Sequence, residues 1–82
     1  MTWATLHNQI ENVGSVRLHR SLLFTVDDLA HGKRVTKCDI QSAIFWANNA
    51  IARIRKGPTH LGYFGDLQTL KLTKSKLQGE LK

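Results

Sequence analysis

Acid–base, nucleophilic and metal chemistry draws on acids, histidines and cysteines brought together, and this chain of 82 residues offers six Asp and Glu, four His and one Cys. An active site also needs those groups to converge in a pocket that excludes water. The acids are instead spread along the chain, and most have a structural task in view: Asp27 and Asp28 beside a helix start, Asp39 in a helix's first turn, Asp66 in a glycine turn. His7, His19, His31 and His60 stand at no metal-ligand spacing. Cys38 alone forms neither an intramolecular disulfide nor a cysteine cluster, which fits a reducing compartment, and we read it as a small first-turn residue. There is no Walker-type glycine loop and no Gly-x-Ser-x-Gly elbow. The expectation is a non-catalytic protein without metal or cofactor.

The chemistry that does stand out is cationic. Twelve Lys and Arg oppose six Asp and Glu, for a net charge of +6, and the pI is about 10.0, which points to a polyanionic partner. The charge is unevenly placed. Residues 1–32 carry Arg17 and Arg20 against Glu11, Asp27 and Asp28, whereas 33–56 carry Lys33, Arg34, Lys37, Arg53, Arg55 and Lys56 against Asp39 alone. Residues 57–82 add Lys71, Lys74, Lys76 and Lys82 against Asp66 and Glu80. The positive field is densest in the middle of the chain.

Length bounds the scaffold that holds these groups. A chain this short buries only about 60–65% of the surface its unfolded form exposes, enough for one small core. One domain over 1–82 is expected, without a large-cavity enzyme. No apolar run approaches the roughly 18 residues that span a bilayer, and Met1-Thr2-Trp3 lacks the basic and apolar segments of a secretory signal, so a cytoplasmic protein is expected.

The elements follow from periodicity. Trp3, Leu6, Ile10 and Val13 recur at steps of three and four, predicting a helix after Thr2 as N-cap that ends at Gly14. Ser15 can cap a second helix over 16–24, and Thr25 with Asp28 offers a second start, for helices at 16–24 and 26–31. Gly32 suits the left-handed residue that stops a helix. Thr36 with Asp39 three residues on opens a helix that runs to about Lys56 and stops before Gly57-Pro58, its stripe Ile40, Ile44, Ala47, Ile51 and Ile54 facing a core. Beyond it, Leu61–Phe64 and Leu67–Leu72 about Gly65-Asp66 suggest a hairpin, then a short helix from about Lys74. The competing reading is an amphipathic helix through Leu67, Leu70, Leu77 and Leu81, against which the Leu70-Lys71-Leu72 alternation and the Thr73 and Ser75 interruptions favour a strand first.

On the helix that starts at Thr36, with about 100° of rotation per residue, Lys37, Gln41, Ser42, Phe45 and Asn48 fall outside the apolar stripe and towards the outer half. Their chemistry suits duplex DNA. Gln41 can bond adenine N6 and N7, Ser42 can donate or accept, Lys37 can reach guanine or phosphate, and Phe45 can pack on a thymine methyl. Arg53, Arg55 and Lys56 at the far end, with Lys33 and Arg34 in the turn, would hold phosphates and set orientation. The free N–H groups at the helix start also favour a phosphate, which puts Thr36 among the candidate binding residues with Lys33, Arg34, Lys37, Gln41, Ser42, Phe45, Arg53, Arg55 and Lys56.

The stretch Leu29–Ala43 resembles the helix-turn-helix of DNA-binding regulators, with Ala30 as the small residue of the first helix, Val35 as the apolar plug of the turn, Thr36 as the cap and Ile40 as the lock four residues beyond it. The family places a glycine just before the plug, where this chain has Arg34, with Gly32 two residues earlier. Gly65-Asp66 followed by Leu70–Lys74 is similar to the wing of winged helix-turn-helix proteins. The resemblance implies a mainly α domain with a helix-turn-helix-like core over about 16–56, finished either by a C-terminal hairpin wing or as an all-α bundle. It also implies transcription regulation through the helix that starts at Thr36.

The expected partner is therefore duplex DNA, bound by a homodimer whose contact surface is the Trp3-Leu6-Ile10 helix or the Leu77-Leu81 end. The alternative is a non-catalytic module or inhibitor, of the kind phages and mobile elements encode, whose basic face docks an acidic surface of a host protein. RNA is disfavoured, since no RRM or KH signature appears.

Overall fold

Thr2 opens the first helix, its hydroxyl accepting from the Thr5 backbone N–H at 3.2 Å, so α1 runs Trp3–Glu11 and buries Leu6 and Ile10. The computed structural model describes residues 2–14, 16–57 and 63–81, apart from the side chains of Tyr63 and Phe64. Ser15, named as a cap, lies outside the described residues. The next helix is capped by His19, whose Nδ1 accepts from the Ser21 N–H at 3.0 Å, and α2 runs unbroken over Arg20–Ala30. The expected break at Thr25 is absent because Leu22, Thr25, Val26 and Leu29 continue one stripe. Thr25 is only 6% exposed, so burial of that face outweighs its capping tendency.

The end of α2 is a Schellman motif. Gly32 sits at φ 71°, and the turn lets its N–H reach the Leu29 carbonyl at 3.2 Å and the Lys33 N–H reach the Asp28 carbonyl at 2.9 Å. The left-handed residue is thus Gly32, as read from the sequence, and Arg34 does not adopt that conformation. The chain from His31 to Thr36 makes a longer connection than the about three or four residues of a helix-turn-helix turn. Thr36 then caps α3, its hydroxyl accepting from the Asp39 N–H at 3.1 Å, and α3 runs Lys37–Lys56 to Gly57 as expected.

The last element corrects the hairpin. Residues assigned to strands and a wing over 61–72 form, from Tyr63 onward, the first part of α4, Tyr63–Glu80, and no strand occurs among the described residues. Leu61 and Gly62 lie outside the described residues. Leu70, Thr73 and Leu77 are buried at 0% exposure, steps of three and four that only a helix brings to one side. Thr73, read as an interruption, donates its hydroxyl to the Thr69 carbonyl at 2.8 Å and stays inside the helix. Leu72, whose alternation with Leu70 suggested a strand, points outward at 47% exposure.

The domain is mainly α. Its helices close a ring in which α1 packs on α2 and α4, and α3 packs on the same two. Ala43, Ala47 and Ala50 are buried on α3, and small residues let neighbouring helices approach closely. Trp3 ties the ends together, its indole N–H donating to Glu80 Oε1 at 3.2 Å and its ring lying 5.1 Å from Lys76 Nζ. Leu6, Ile10 and Leu77 are consumed by this intrachain packing, so the two surfaces named for dimerisation are not free apolar faces. No helix among the described residues is long and apolar enough to cross a membrane.

Candidate nucleic-acid interface

Helix α3 is the longest element, with 20 residues and hence about 30 Å of length. Its buried stripe of Ile40, Ala43, Ala47, Ile51 and Ile54 leaves an outward strip on which Gln41, Phe45, Asn48, Asn49 and Ala52 are all exposed. Phe45 is 59% exposed and meets Trp46 edge-on at 5.0 Å between ring centroids. The ten residues proposed from sequence do not form one patch. They divide between the two ends of α3.

At the C-terminal end, α3 and α4 enclose an open groove of about 600 Å³. Arg55 and Lys56 line it from α3 with Asn48, Ile51 and Ala52, and Lys71, Lys74, Ser75 and Gln78 line it from α4. Four cations and no acid share this wall. Among the described residues none of the four cations makes an ion pair, so their charges repel one another and attract an anion from solvent. The α4 residues were not singled out as binding residues from sequence. The signal was present: Lys71, Lys74, Ser75 and Gln78 stand at i, i+3, i+4 and i+7, one helical face, once 63–80 is read as helix.

Arg53 departs to the other side of α3. It lines a depression of about 240 Å³ with Arg17, His19, Trp46, Asn49 and Ala50. Here the His19 ring covers Trp46 in a parallel stack, 3.8 Å between centroids and 3° between planes. Trp46 packs half-buried at the edge of the core, and its stacked face is occupied.

The N-terminal end of α3 is electrostatically mixed. Lys33 Nζ lies 3.9 Å from Asp28 Oδ1, while Arg34, Thr36 and Lys37 are exposed. Thr36 uses its hydroxyl as the cap. Ser42 is turned into a crevice against α2 with Ser21, Phe24, Thr25, Asp28 and Asp39, so two carboxylates stand beside it. Of the residues named there for reading bases, Gln41 and Phe45 are exposed and Ser42 is half-buried.

Of the four residues that carried the family resemblance, Val35 packs half-buried on the core, Thr36 caps, Ile40 is 5% exposed and Ala30 is half-buried at the end of α2. Comparison with protein-family models, curated proteins and solved structures returned no match. Among the described residues no cluster of three His, Cys, Asp or Glu could hold a metal ion.

Proposed function

We propose that this chain is a small, non-catalytic DNA-binding regulator that acts in the cytoplasm on duplex DNA through α3. One observation carries the reading: Arg55, Lys56, Lys71 and Lys74 line one groove without an ion-pair partner among the described residues, next to an outward helix face that carries Asn48 and Asn49. Clustered, unneutralised cations are what phosphates replace counterions against, and amide side chains on an adjacent helix can bond base edges. The helix-turn-helix resemblance over Leu29–Ala43 supports the regulator role. A homodimer, which would set two such faces about one helical turn apart on DNA, would form through exposed apolar residues such as Phe24 or Leu72.

The test is a mobility-shift titration on duplex DNA across a salt series. Four phosphate contacts give a log–log slope of about −3.6, so affinity falls about a hundredfold between roughly 50 and 200 mM salt. Unchanged affinity over that range would remove DNA as the ligand. Phe24 at 61% and Phe45 at 59% exposure favour the second reading, a basic face that docks an acidic protein, and salt-insensitive or absent DNA binding would select it.

A further inference from the structure

We infer, resting on the DNA reading above, that α3 enters the major groove by its C-terminal half, from Phe45 to Lys56, with the cations on its two flanks gripping opposite strands. Arg53 and Arg55 are two residues apart, which on a helix sets them about 160° apart. The structure puts them accordingly in different depressions, Arg55 with Lys71 and Lys74 on the α4 side and Arg53 with Arg17 on the other. A helix with side chains is about 10–12 Å across, and the major groove is about 12 Å wide, so charges on opposite sides of one helix face the two phosphate backbones that border the groove.

What lies between the flanks suits base edges. Phe45, Asn49 and Ala52 fall within about 60° of one another on the outward strip, and all three are exposed. Ala52 allows close approach, Asn49 offers the amide that pairs with adenine N6 and N7, and Phe45 offers a ring to a thymine methyl. Asn48 and Asn49 line opposite depressions, so the two amides reach towards different sides of the groove floor. Neither depression is lined by an acid, whereas Asp28 and Asp39 line the crevice at the other end of α3.

The experiment selects a preferred site from a random duplex pool with the whole chain, then compares variants on that site and on a scrambled duplex. Asn49→Ala should lose tenfold to about a hundredfold on the selected site and less than about twofold on the scrambled one, while Gln41→Ala changes both little. Phosphate-ethylation interference completes the test: Arg53→Ala should erase contacts on one strand and Lys71→Ala contacts on the other. All these residues are exposed, and circular dichroism checks that each variant is folded. The inference is overturned if Gln41→Ala rather than Asn49→Ala relaxes specificity, if both basic variants erase contacts on the same strand, or if binding occurs with no preferred site. Failure of the unaltered chain to retard any duplex at low salt would instead overturn the DNA reading itself, and this inference with it.

Discussion

The two ends of α3 carry similar numbers of basic residues and differ in what surrounds them. At the start, Lys33 lies 3.9 Å from Asp28, and the neighbouring crevice holds Asp28 and Asp39. At the finish, Arg55 and Lys56 are joined by Lys71 and Lys74 from α4, and Arg53 by Arg17, with no acid lining either depression. Local sequence charge is thus a poor guide to local field. The fold adds Asp28 from α2 to one end and Lys71 and Lys74 from α4 to the other, so one helix acquires an electrostatic gradient that its own sequence only partly contains.

The largest effect is expected from removing what holds α4 on α3. Leu77, fully buried, is too far inside for its loss to be absorbed, and Leu77→Ala should cost about 2–5 kcal/mol in denaturant unfolding. A small loss would mean that α4 does not build the groove wall. Charge reversal sharpens the contrast between the two ends. Lys71→Glu with Lys74→Glu should weaken duplex binding by about a hundredfold or more and reduce the salt slope by about 1.8, the share of two phosphates. Lys33→Glu with Arg34→Glu, measured in the same titration, should weaken it far less, since Lys33 already shares its charge with Asp28. Equal losses would erase the distinction.

A smaller effect separates the role of Thr36 from that of the groove. Thr36→Ala removes the hydroxyl that accepts the Asp39 N–H and should cost about 1 kcal/mol of stability in thermal or denaturant unfolding. Duplex affinity of the folded variant should stay within about twofold, because a cap holds the helix and does not touch the cationic end. Loss of affinity without loss of stability would show that the N-terminal end contacts the ligand.

How much of this was legible follows the same division. Helix α3 could be read from Thr36 and Asp39 at one end, Gly57-Pro58 at the other and the isoleucine stripe between, because each signal is local and they agree. Its exposed Gln41, Phe45 and Asn48 and its terminal cations were legible for that reason. Helix α4 was legible only as the competing reading, the amphipathic helix through Leu67, Leu70, Leu77 and Leu81, because its local signals conflict: Gly65-Asp66 resembles a turn, Leu72 alternates with Leu70, and Thr73 is β-branched. Packing against α3 and α1 overrides them by burying Leu70, Thr73 and Leu77 together. The α4 half of the groove was hidden with the helix, and Arg17 was hidden because only the tertiary fold brings it beside Arg53.

The central claim is that polyanion binding belongs to the C-terminal end of α3 and to α4. Mapping backbone amide chemical shifts on titration with a short duplex tests it residue by residue without any substitution. Shifts concentrated at Phe45–Lys56 and along Lys71–Gln78, with Thr36–Gln41 almost unmoved, are the expected result. Shifts concentrated at Lys33–Gln41 and absent from α4 would contradict it.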